Sequence, residues 1–147
     1  MRTAALVLAI FCAVPFETLS APASAAQIEH PDRGSDMRKI LLDAARPKFE
    51  AETNGPVEFV VGALNVMGSW AFADVTLQRP GGGAIDWSAT TYAEDAKEGM
   101  FDPAHSFVLL GRIDGVWHII QHATGPTDAV WVGWQTDHNL PAALFER

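Results

Sequence analysis

His118 and His122 are spaced as a metal-binding pair would be on a helix, where His-x-x-x-His sets two imidazoles one turn apart. Asp114-Gly115 just upstream is the strongest short-range hairpin signal in the chain, and it places both histidines on a strand. Residues four apart on a strand share a face but stand roughly 13 Å apart, too far to share one ion. No metal site is expected here. Each histidine reads instead as a hydrogen-bonded residue at the edge of the core, or as a group that titrates in a pocket and binds or moves a proton. Asp74 is the other candidate, a lone carboxylate among Ala63, Phe72 and Thr76. Buried without a partner it would have a raised pKa. The simpler expectation puts it at the solvated end of its strand. Trp131 and Trp134, three apart, share a face if their segment is helical, and so either cap the core or form an aromatic wall for a ligand.

Other chemistry is absent. Gly81-Gly82-Gly83 lacks the Lys and Ser/Thr that complete a phosphate-binding loop, and there is no Gly-x-Ser-x-Gly or His-Glu-x-x-His. No cofactor is therefore expected. Catalytic residues cannot be named from the sequence.

The elements that must position these residues read in order. Ser35 is a helix N-cap with Asp36 in the first turn, and Met37, Ile40, Leu41, Ala44 and Ala45 follow at helical spacing. Pro47 is expected to kink this helix, and Asn54-Gly55-Pro56 ends it. Residues 57–67 and 70–78 are strand-like, with Gly68-Ser69 as the turn between them. A regular register then sets Val60, Gly62, Leu64 and Val66 beside Ala71, Ala73, Val75 and Leu77 on one apolar face. The opposite face mixes Phe59, Val61, Asn65 and Met67 with Trp70, Phe72 and Asp74. After a loop at 79–90 and a short helix within 91–100, the second hairpin pairs Gly111 with His118, Leu109 with Ile120 and Phe107 with His122. Thr127-Asp128 is expected to cap a short helix carrying Val130, Trp131 and Trp134. The whole is α+β: an N-terminal amphipathic helix on a four-stranded antiparallel sheet of two hairpins, with a short inserted helix and an irregular or helical tail.

Arg2, the uncharged apolar run of residues 4–14, Pro15 and the small residues Ala23-Ser24-Ala25 form a signal peptide, cleaved after Ala25 or Ala26. The run is about half the ~20 residues a spanning helix needs, so no stable membrane anchor is expected. Residues 26–34 then read as a flexible leader and 35–147 as one domain. Cys12, the only cysteine, leaves with the signal. The net charge of −8 argues against nucleic acid. The expected location is secreted or periplasmic.

Several stretches resemble a widespread, uncharacterised family of small secreted bacterial proteins. They are Pro56-Val57-Glu58-Phe59-Val60-Val61, Gly68-Ser69-Trp70-Ala71-Phe72, Gln78-Arg79-Pro80, Asp114-Gly115-Val116-Trp117 and Gly125-Pro126-Thr127-Asp128. The order of elements is similar to cystatin-like and NTF2-like architectures. These motifs are structural, so the resemblance implies a fold and no activity.

Three functional expectations follow. The first is a non-catalytic binding domain for an unknown protein or small ligand, using the sheet face away from the helix, which would otherwise be covered by the loop and tail or by a second copy in a homodimer. The second is a small NTF2-like enzyme with Asp74 and a histidine in the sheet cup. The third is an inhibitor of an envelope enzyme that projects residues 79–87 as a wedge. Convergent polar groups in a concavity favour the enzyme, and a flat apolar face favours association.

Overall fold

The computed structural model describes residues 27–147. The signal-peptide reading, which falls on residues 1–25, lies outside the described residues. The described chain is α+β, and its four strands form one antiparallel sheet in sequence order. Helix α1 (Asp36–Glu52) starts where its chemistry dictates, with Ser35 Oγ accepting from the Arg38 amide at 3.2 Å. It runs unbroken through Pro47, and its buried stripe is Leu41, Ala45 and Phe49. The Thr53 amide closes it on the Phe49 carbonyl, and Asn54 turns away with φ 55°.

Strands β1 (Glu58–Met67) and β2 (Trp70–Gln78) form the first hairpin, and β3 (Ser106–Ile113) and β4 (Val116–Thr124) the second. Both turns fall where Gly68-Ser69 and Asp114-Gly115 put them. Each hairpin also contains a bulge, and the bulges correct the expected faces. Between Val61 and Ala63 the β1 register slips, so Val61 pairs with Val75 and Phe59 with Leu77. Phe59 and Val61 therefore join the helix-side core, while Val60, expected there, is 50% exposed. Between Leu109 and Leu110 the β4 partner jumps from Gln121 to Ile119. His122 consequently faces Val108 rather than Phe107, and crosses to the helix side.

Two cores result, one on each face of the sheet. The helix-side core joins Leu41, Ala45 and Phe49 to Leu64, Val66, Val75, Val108 and Trp117. The second contains Phe72, Phe107 and Leu109 under Trp134, Leu140, Leu144 and Phe145. The tail supplies the latter four residues, from α3 (Trp131–Asp137), the link that follows it and a short 3-10 turn over Ala142–Phe145. Helix α3 starts later than expected, after Val130, and Thr127-Asp128 makes no side-chain cap. The apolar face left over by α1 is thus covered from within the chain.

The 79–87 segment is anchored at its ends while residues 80–84 stay exposed. The Arg79 amide bonds the Gly83 carbonyl at 2.7 Å, Ile85 is buried, and Trp87 packs on the helix-side core. A short helix α2 (Ala93–Lys97) follows. The leader is pinned rather than loose: Glu29 and Val66 exchange two backbone bonds of 2.8 Å, and His30 Nδ1 lies 2.8 Å from Asn65 Oδ1.

Candidate functional site

Asp74 occupies the middle of β2, opposite Phe107 on β3 and Ala63 on β1, and only 5% of it is exposed. It is not at a solvated strand end. A carboxylate at this depth must be paired. Its Oδ1 lies 3.0 Å from His105 Nδ1, and its Oδ2 is 3.7 Å from an Arg147 guanidinium nitrogen. Since a carboxylate accepts, His105 Nδ1 carries the hydrogen. That tautomer leaves Nε2 as an acceptor, and it has no hydrogen-bond partner among the described residues.

The loop before β3 holds His105 in place. The Asp102 amide donates to the Gly125 carbonyl at 2.8 Å, and the Gly125 amide donates back to the His105 carbonyl at 3.0 Å. Thr76 Oγ1 donates to the Ala104 carbonyl at 2.6 Å. Gly125 has φ 62°, and a Cβ there would stand 2.0 Å from a Phe101 ring carbon, so this junction admits only glycine.

Aromatic rings order the rest. The His105 ring stacks on Phe107 at 5.8 Å, and Trp131 meets Phe107 edge-on at 4.7 Å. The Arg147 guanidinium lies over Trp131 at 4.6 Å, which fixes the cation while it faces Asp74. Together they border an open cleft of about 230 Å³, completed by Asp102, Thr127 and Asp128. Asp102 and Asp128 in the lining and Asp74 behind it stand against the one guanidinium of Arg147 and make the surroundings acidic.

Of the residues singled out from sequence, Trp131 lines this cleft, and Asp74 lies behind its lining residues His105 and Arg147. Trp134 is buried in the second core. His118 is exposed and pairs with Gly111, four residues along β3 from Asp74's partner, roughly 13 Å away along the strand. His122 lies on the opposite face of the sheet. The three expected polar residues therefore do not converge. His105 and Arg147 were missed. His105 is two residues before Phe107 and so shares its face, a signal that was available; Arg147 lies in the irregular tail and gave none.

His122 builds a second polar cluster. Its Nε2 is 2.7 Å from Glu52 Oε1, and Thr124 Oγ1 donates to Glu52 Oε2 at 2.6 Å. Lys48 Nζ stands 3.2 Å away. Burial pushes the Glu52 carboxyl up, but the hydrogen bonds from His122 and Thr124 and the charge of His122 outweigh it and hold the pKa at about 2. Tyr92 beside them is raised, by burial first and by the Glu52 charge. This cluster ties the end of α1 to β4.

Among the described residues no three His, Cys, Asp or Glu side chains are placed to hold a metal ion, and no helix is long and apolar enough to cross a membrane. No protein-family model matches the chain, and no curated protein or solved structure is similar to it.

Proposed function

We propose that the protein is an exported, non-catalytic binding domain that takes a small ligand rich in hydrogen-bond donors in the cleft beside Asp74. One observation carries this reading: an imidazole and a guanidinium from separate parts of the chain, both held against a carboxylate 5% exposed, line one concavity with Trp131. The acidic surroundings disfavour phosphorylated and polycarboxylate ligands. The covered second face favours ligand binding over pairing of two copies through that face. Export is supported by the apolar run of residues 4–14 and the small residues at 23–25. The order of a long helix followed by an antiparallel sheet supports an NTF2-like relationship.

The test is a titration of isotope-labelled protein with small amines, polyols and carboxylic acids, followed at the His105 ring and the Trp131 indole. Donor-rich compounds are expected to move both signals, and to lose that effect in Asp74→Asn. Shifts confined to other surfaces, or none with any compound, would refute the assignment.

A second reading, proton-transfer catalysis, is favoured by the Asp74–His105 geometry, in which a buried carboxylate orients an imidazole and leaves Nε2 free to accept. It requires a bound compound to be chemically altered over time in a His105-dependent way. Unaltered ligand recovered after prolonged incubation would decide for simple binding.

A further inference from the structure

Strand β1 is an edge of the sheet, and an edge carries a row of main-chain donors and acceptors that another strand can take up. The chain itself does so at one point, where Glu29 bridges Val66 in antiparallel fashion. The leader then departs through Pro31 toward Ser35, and among the described residues the only bridge it makes to β1 is that at Val66. By the two-residue alternation of an antiparallel ladder, Leu64 presents its N–H and C=O outward as Val66 does. Two hollows of about 370 and 340 Å³ lie along this stretch and meet at Arg38 and Val61, forming one groove between β1, the start of α1 and the tail.

The groove also has a charge. Lys39, Arg46, Lys48, Lys97 and Arg147 each have a carboxylate within 4 Å. Arg79 is spent on the Thr53 and Pro56 carbonyls, and Arg112 lies over Trp117. Arg33 and Arg38 are the remaining cations, with no carboxylate that close among the described residues, and both line this groove, where Arg38 also donates to the Pro31 carbonyl at 3.4 Å. Glu58, the acid nearest them in the lining, is engaged by the Gly81 amide at 3.0 Å; Glu146 stands at the tail side. In a chain of net charge −8, this groove thus holds two arginines outside any close ion pair beside an open strand edge.

We propose that the β1 edge docks an extended acidic peptide segment of a partner protein, which adds to the sheet as a fifth strand over residues 58–64. On each side of the bulge between Val61 and Ala63 the pleat dictates its pattern. Guest side chains on the helix side face Arg38 and are acidic; those on the other side lie over Val60, 50% exposed, and are apolar. Main-chain pairing supplies the affinity, and the alternation of charge with apolar residues supplies the choice of partner.

The probe is a capped hexapeptide of alternating glutamate and valine, compared with its lysine–valine counterpart and with a glutamate form N-methylated at alternate residues. Expected are selective binding of the glutamate form, slowed amide exchange over residues 58–64, and loss of binding on N-methylation. The double variant Arg33→Glu/Arg38→Glu should weaken binding roughly tenfold or more and reverse the preference toward lysine. Should that variant not fold, Arg33→Gln/Arg38→Gln should show the same weakening without the reversal. Equal binding of both charge forms, binding that survives N-methylation, or protection outside 58–64 would overturn the proposal. So would self-association of the free protein that protects 58–64, since the edge would then belong to a second copy.

Discussion

Replacing Glu52 by glutamine removes one charge from the α1–β4 junction with almost no change of shape, and its effect can be worked out from the cluster. The carboxyl is held at about 2, against an ordinary 4.5, and its side chain is 15% exposed. A shift of that size corresponds to an upper limit on the order of 3 kcal/mol of folding stability, and partial contact with water reduces it to about 2 kcal/mol. The sign follows from the direction. A depressed folded-state pKa contributes its full stability above the unfolded value, near 4.5, and loses it as pH falls toward 2. Urea unfolding of wild type and Glu52→Gln at pH 7, 5, 4 and 3 should thus give a difference of about 2 kcal/mol at pH 7, with roughly half of it gone by pH 3. A difference that stays constant across this range would mean that the variant loses only packing or hydrogen bonds, and the electrostatic account of the cluster would fail.

Three further outcomes are expected. Leu144→Ala, at a fully buried position in the second core, should cost about 2–4 kcal/mol in denaturant unfolding and raise the binding of a hydrophobic dye. Gly125→Ala forces a methyl group against Phe101 at φ 62°, so its melting temperature should fall by an amount corresponding to about 2 kcal/mol or more. Adding Phe101→Ala should restore part of that loss, and strict additivity would show that the clash is not its source. Asp74→Asn should cost about 1–3 kcal/mol, because Arg147 loses its charged partner, and should move the His105 ring signals. An unchanged His105 spectrum would show that the pair does not form in solution.

What the sequence disclosed was what short-range chemistry specifies. The Ser35 cap, the Leu41–Ala45–Phe49 stripe and both hairpin turns depend on residues a few positions apart, and each lies where those residues put it. The faces of the sheet do not work this way. One extra residue near Gly62 and another near Ile120 reverse which side chains point to α1; the lone glycine was a signal for the first, and the second has no residue signature. For that reason Val60 and Phe59 exchanged roles and His122 moved to the helix side. Coverage of the second core was illegible for a different reason. Leu140, Leu144 and Phe145 lie in a segment without period, and nothing short of the folded sheet shows them where to go. The cleft was half legible: Asp74 and Trp131 stood out, His105 could have been found from Phe107, and Arg147 could not.

Asn65 joins three parts of the chain that are far apart in sequence. Its carbonyl oxygen meets His30 of the leader, and its amide donates to the Leu144 and Glu146 carbonyls at 2.9 and 2.7 Å, while its own strand forms the sheet edge. The side chain is 2% exposed, so none of these bonds can be exchanged for water once the tail is seated. During synthesis, however, residues 144 and 146 emerge long after position 65. Until they do, the amide donates only to water and the aromatic floor of Phe72 and Phe107 has no roof. The nascent chain therefore stays unfinished on one side until those residues emerge, and any chaperone that recognises exposed aromatic surface has that whole interval in which to hold it.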